Sequence, residues 1–180
     1  MIDEVEVHGA GENGYYDAEL NRLINEMIAL EVNVSRLYAL FLERFPEDVE
    51  FWQNLSAEEE NHAALLRSGR KHFASQGTFP RELLPESIDP LLETNRELER
   101  LIELFETTPP TREDAFRLAV ALEESAGEIH YQRAMTTTAR SQAMKILQTL
   151  NHDDRDHAAR IRQYMTAKGI GGTEGSEGQE

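Results

Sequence analysis

The sequence predicts an all-α protein, a bundle of four long helices laid out as two hairpins with a long crossover that contains a short helix. Three observations lead there. Apolar residues recur at three- and four-residue steps over long stretches, the mark of helices with one buried stripe. The six prolines are confined to three short regions, around residue 46, across 80–90 and at 109–110. The stretches between these breaks run to about 25–30 residues, and helices of that length span ~40 Å at about 1.5 Å per residue.

The first helix is expected from about Asp17 to Arg44, carried by Leu20, Leu23, Ile24, Met27, Ile28, Leu30, Val34, Leu37, Tyr38, Phe41 and Leu42. Pro46 suits the start of the next helix, because its fixed φ and missing N–H cost nothing in a first turn. That second helix covers roughly Glu47 to Ser75 and stops at Gln76-Gly77. Pro80, Pro85 and Pro90 break the crossover, and a helical period returns over 91–106 through Leu92, Leu98, Leu101, Ile102, Leu104 and Phe105. Thr111 followed by Asp114 signals a helix start at Arg112. A third long helix is expected over Arg112–Thr136 and a fourth over Ala139–Ala167, ended by Lys168-Gly169. Residues 1–16 read as a flexible leader, 17–167 as one bundle domain and 168–180 as a disordered acidic tail. Two hairpins joined by a long crossover are the ferritin-like form of the four-helix bundle.

Composition narrows the function. Eighteen basic against thirty-four acidic residues leave a net charge of −16, the opposite of a nucleic-acid footprint. There is no cysteine, which removes disulfides, thiolate metal sites and thiol chemistry. No apolar run reaches the ~20 residues of a membrane span, and the acidic N-terminus does not resemble a signal peptide, so the expectation is a cytoplasmic protein without membrane or nucleic-acid partners.

The two hairpins repeat each other. Advancing the first helix by 93 residues places Leu23 on Phe116, Met27 on Val120, Glu31 on Glu124 and Tyr38 on Tyr131. Advancing the second helix by 95 places Leu55 on Leu150, Glu58 on Asp153, Glu59 on Asp154, His62 on His157 and Leu66 on Ile161. Carboxylates and histidines coincide together with the apolar frame. Glu59 and His62 stand at i and i+3 on one helix face, as do Asp154 and His157. With Glu31 and Glu124 they make four carboxylates and two imidazoles, a donor set suited to a pair of iron or manganese ions in a bundle core. Glu31 lies among Met27, Ile28, Val34 and Leu37; an unpaired buried carboxylate is costly, and four of them would be untenable without cations. Tyr38 follows Glu31 by seven residues, close to two turns, and so faces the same interior. His8, His72 and His152 have no partner at ligand spacing, and His130 replaces an apolar position of the repeat.

The run Ala29-Leu30-Glu31 through Leu37-Tyr38, then Arg44-Phe45-Pro46-Glu47-Asp48, Phe51-Trp52, Leu55 and Glu58-Glu59-Glu60-Asn61-His62 resembles the rubrerythrins of the ferritin-like superfamily. The resemblance covers about residues 17–167 and is strongest in the first hairpin. It implies two iron ions, or manganese at one or both positions, with Glu31 and Glu124 as terminal ligands, Glu59 and Asp154 as bridges, and His62 and His157 capping one ion each. It further implies an oxidoreductase of oxidative-stress defence, reducing peroxide or oxidising ferrous iron with dioxygen, commonly as a homodimer. The chain departs from that family in three respects. It lacks rubredoxin cysteines, so a separate rubredoxin-type donor or free ferrous iron must supply electrons. Gly127 stands where many members have a further carboxylate, with Glu128 next to it. Asp154 is one methylene shorter than the usual Glu, so that bridge must shift the backbone, bind one metal only or weaken the second site. The competing readings are a non-enzymatic iron-handling bundle and a scaffold without metal.

Overall fold

The computed structural model describes residues 11–124, 133–150 and 157–171, and among them every regular element is helical. The long helices are α1 (Gly11–Arg44), α2 (Val49–Phe73), α3 (Asp89–Thr107), α4 (Arg112–Glu123), α5 (Gln142–Leu150) and α6 (His157–Lys168). No described helix is long and apolar enough to cross a membrane. Helix α1 begins at Gly11, ahead of the expected Asp17. Once a helix is nucleated by its packed part, each added residue gains a hydrogen bond without needing an apolar stripe. Pro46–Asp48 form a separate 3-10 turn before α2, and Ala74–Gln76 form another after it.

Helix α4 starts where expected. Thr111 Oγ1 accepts from the Asp114 backbone N–H at 3.1 Å and donates to Asp114 Oδ2 at 2.6 Å, closing the first turn. The following segment starts later than Ala139, because Ser141 caps α5 by accepting from the Met144 N–H at 3.0 Å. At the end of α6, Gly169 adopts φ +65°, which lets Ile170 N–H return to Met165 O at 2.9 Å.

Side-chain pairs give the helix directions. Ser35 meets Ser56 and Asn25 meets Arg70, so α1 and α2 run antiparallel. Their approach is close because small hydroxyls, not large side chains, meet there: each serine Oγ also donates to the other's carbonyl, at 3.0 and 3.1 Å. Phe116 faces Tyr164 and Glu123 faces His157, so α4 and α6 are antiparallel too. Phe51 faces Phe116 and Tyr164 while Glu59, further along α2, meets Glu123 and His157, so α4 runs parallel to α2 and α6 antiparallel to it. The crossover helix α3 lies along α1 in the same direction, held by Asn33 Nδ2 donating to Asn95 Oδ1 at 3.2 Å and by the Phe41–Phe105 contact.

Where α1, α2 and α4 converge, Tyr38, Phe41, Trp52 and Phe116 are wholly buried and in ring contact. Truncating such a ring removes its transfer energy and leaves a cavity, a loss of about 3–5 kcal/mol for Phe or Trp to Ala. Beside this cluster Asp48, 1 % exposed, ties the first hairpin to the second. Arg112 Nε and Nη2 each donate to it at 2.6 Å, and Tyr164 Oη donates at 2.9 Å. Burial alone would raise the Asp48 carboxyl; the Arg112 and Tyr164 bonds outweigh it and hold it below the ordinary carboxylate value.

Candidate metal centre

About two turns from the aromatic cluster toward the middle of the bundle, five ionisable side chains meet out of water: Glu31, Glu59, His62, Glu123 and His157, each no more than 2 % exposed. The local sequence explains how. Glu31 sits on the same stripe of α1 as Met27, Ile28, Val34 and Tyr38, so the packing that buries the stripe buries the carboxylate. On α2, the i, i+3 spacing turns Glu59 and His62 to one face together with Leu55, Ala63 and Leu66. Glu123 ends α4 one turn after Ala119, and His157 opens α6 next to Ala158 and Ile161.

The five fall into two groups that share one member. Glu31, Glu59 and His62 form the first, and Glu59, Glu123 and His157 the second. In the first, His62 Nδ1 lies 2.9 Å from Glu59 Oε2 and 3.4 Å from Glu31 Oε2. In the second, His157 Nδ1 lies 2.9 Å from Glu59 Oε1 and 3.2 Å from Glu123 Oε2. The two oxygens of Glu59 thus face the two histidines, whose rings stack at 5.5 Å with an 11° tilt.

These separations suit cations. Donors bound to one ion at about 2.0–2.2 Å stand roughly 3–3.5 Å apart along the edges of a tetrahedron or octahedron. A single imidazole N–H, by contrast, serves only one of two carboxylates, and Glu31 Oε2 and Glu59 Oε1 have no well-aligned hydrogen-bond donor among the described residues. Ionising all three buried carboxylates would exceed the charge that two imidazolium rings can supply. The donor set, oxygen and nitrogen without thiolate, could hold a divalent metal ion in each group.

Electrostatics separate the members. Burial, only partly offset by His62, pushes the Glu31 carboxyl up to about 8. Burial works against Glu59 as well, but its bonds to His157 and His62 prevail and draw it down to about 2. Glu123 is raised by burial despite His157. Tyr38 Oη donates to Glu123 Oε1 at 2.5 Å and orients that carboxylate. Behind His157, Nε2 lies 3.1 Å from Glu58 Oε2, and Arg160 Nη1 donates to the same oxygen at 2.7 Å. Such outer partners fix a ligand ring's orientation and tautomer.

Of the six residues expected from sequence, the structure brings Glu31, Glu59, His62 and His157 together. Asp154 lies outside the described residues, as do Gly127, Glu128, His130 and Tyr131. Glu124 is not in the cluster. It is exposed, and Arg162 Nη2 donates to it at 2.5 Å on the surface. The carboxylate that joins the cluster is its neighbour Glu123, because α4 is in register with α1 at 92 residues, not 93. At that offset Ile24, Met27, Leu30 and Glu31 align with Phe116, Ala119, Leu122 and Glu123, all eight buried. The sequence marks Glu58 only as the repeat partner of Asp153; its place behind His157 follows from α6 packing beside α2.

The architecture and the cluster define an all-helical protein with two adjoining buried glutamate–histidine groups that could each hold a metal ion. No family model matches the chain, and no curated protein or solved structure matches it significantly.

Proposed function

We propose that the protein is a ferritin-like, rubrerythrin-like di-metal oxidoreductase that reduces peroxide or couples dioxygen to iron oxidation. The observation that carries this reading is Glu59, whose two oxygens face His62 and His157 at 2.9 Å each, between two further buried glutamates. The helix directions support it as well: α1 and α6 run one way, α2 and α4 the other, as in two hairpins joined by a crossover. In this reading Glu31, Glu59 and His62 hold one ion, and Glu59, Glu123 and His157 the other. Iron or manganese bound there would supply the electrons for reducing the oxidant.

The chain's own residues have definite tasks. Glu59 stays ionised and spans both positions, while Glu31 retains a proton until a cation displaces it. Tyr38 steers Glu123 and has a proton to lend at its hydroxyl. Leu55, Leu66, Val34, Ala119 and Ile161, all buried, keep bulk water from the donors. These 180 residues contain no cysteine and so no rubredoxin centre; a rubredoxin-type donor or ferrous iron would supply the electrons for turnover.

Stopped-flow mixing of the reduced, iron-loaded protein with peroxide tests the proposal. The expected result is a burst of about one peroxide per pair of metals, the two electrons that a pair of one-electron metals can give, and steady turnover once a rubredoxin with its reductase is added. A protein that consumes no peroxide, yet oxidises and retains ferrous iron well beyond a pair per chain, would replace this reading with an iron-handling one.

A further inference from the structure

A line of aromatic rings leads from the buried cluster to the surface, and the proposed metal chemistry uses only its inner end. The ring of Tyr38 lies 5.6 Å from that of Trp52. Trp52 lies 5.5 Å from Phe51 and 4.4 Å from Phe116. Both phenylalanines reach Tyr164, Phe51 stacking on it at 4.0 Å and Phe116 at 5.6 Å. Two routes of short ring-to-ring steps therefore join wholly buried Trp52 to half-buried Tyr164 on α6.

The two oxidisable ends of these routes differ in what receives a proton. One-electron oxidation makes a phenol strongly acidic, so a tyrosine yields its electron readily where a base takes the proton. Tyr164 has such a base: its hydroxyl donates to Asp48 Oδ1 at 2.9 Å, a carboxylate that Arg112 keeps ionised. The Lys168 ammonium, 5.5 Å above the Tyr164 ring, disfavours a cationic radical but not the neutral phenoxyl left after proton transfer. Trp52 Nε1 is buried with no hydrogen-bond partner among the described residues. An oxidised Trp52 therefore keeps its proton and remains a strong oxidant; Tyr38, whose hydroxyl rests on Glu123, and Tyr164, whose hydroxyl rests on Asp48, can each return the electron, and of these two Tyr164 is the one that leads to the surface.

We propose that Trp52 and Tyr164 form a one-electron relay that moves oxidising equivalents from the core to the surface, with Asp48 as the proton acceptor. An electron passes from Tyr164 by way of Phe51 and Phe116 to the Trp52 radical cation, which returns to neutral tryptophan. The phenolic proton moves to Asp48, leaving a neutral phenoxyl radical and a carboxylic acid. A one-electron reductant at the exposed edge of Tyr164, with the proton returned by Asp48, completes the cycle. The initiating oxidant belongs to the peroxide-derived one-electron oxidants; that physiological use rests on the proposed function, whereas the relay itself needs no metal.

The test uses the metal-free full chain, so its failure is separable from failure of the metal reading. Trp52 is the single tryptophan, and laser photoionisation in an electron-scavenging buffer oxidises it directly. In Tyr38→Phe protein, which removes the inner tyrosine, the tryptophan-radical band should decay into a tyrosyl band at a rate independent of protein concentration and slower in D2O. Adding Tyr164→Phe should abolish that transfer and lengthen the tryptophan radical's life, while both rings still stack. Asp48→Asn in the Tyr38→Phe background should slow it by removing the base. An identical tryptophan-radical decay with and without Tyr164, or a decay without a solvent isotope effect, would overturn the relay.

Discussion

The two halves of the cluster have the same donor chemistry and very different support. The His62 half is built within one hairpin, from α1 and α2, and its Glu31 oxygen lacks a well-aligned donor. The His157 half is assembled across hairpins: Glu123 and His157 come from the second, while Glu59, Glu58 and Tyr38 come from the first. Internal duplication thus supplies like ligands, but the surroundings make them unlike. Each half keeps one carboxylate oxygen without a well-aligned donor, Glu31 Oε2 in the first and Glu59 Oε1 in the second, but only the second is braced from outside by Tyr38, Glu58 and Arg160.

The comparison is broken most severely at Glu59, the residue both halves share. Glu59→Gln should abolish binding of both metal equivalents, whereas Glu123→Gln should lose only one; titration calorimetry with ferrous or manganous ion distinguishes them. Equal loss in both variants would mean that Glu59 is not shared.

The Glu31 side makes the next largest difference, and it appears as a pH dependence. Its folded-state carboxyl sits at about 8 against an ordinary 4.5, so the folded protein binds the extra proton across that interval. Stability of the metal-free protein should therefore fall as pH rises through this window, on account of this group. Glu31→Gln should flatten the decline, and metal should stabilise wild type most at its alkaline end. Melting curves in chelator and in metal across that range measure both effects.

On the His157 side, Glu58→Gln should weaken one metal equivalent by about 10–100-fold, the usual effect of removing a ligand histidine's outer partner, and leave the other equivalent unchanged. The clasp between the hairpins has its own signature. Asp48 is held below its ordinary value of 3.8, so its contribution is complete above that pH and is lost as pH falls through the lower folded-state value. Asp48→Asn should cost about 1–3 kcal/mol near neutrality, because Arg112 keeps partial access to water, and should remove that acid sensitivity; chemical denaturation reads it.

The smallest effect belongs to Glu124. As one partner of an exposed ion pair with Arg162, Glu124→Ala should change stability by no more than about 1 kcal/mol and metal binding not at all.

That last contrast shows what was legible in the sequence and what was not. The apolar stripe of α1, the Thr111 cap, the prolines and the repeated carboxylate–histidine spacing mark the helices and four of the five clustered residues. The register of α4 was harder to read. Its buried face uses Ala115 and Ala119 where α1 has larger residues, so the apolar period is faint, and matching Tyr38 to Tyr131 shifts the frame by one. One residue on a helix is 100° of rotation, enough to exchange a buried glutamate for an exposed one. The support behind His157 comes from packing between hairpins, which no local spacing records.

The proposed centre is a pair of metal ions sharing Glu59. Anomalous diffraction at the iron edge from crystals grown with ferrous iron tests it most directly. Two peaks are expected within the bundle, one bounded by Glu31, Glu59 and His62 and the other by Glu59, Glu123 and His157. An absence of peaks, with these five side chains bonded only to one another, would contradict it.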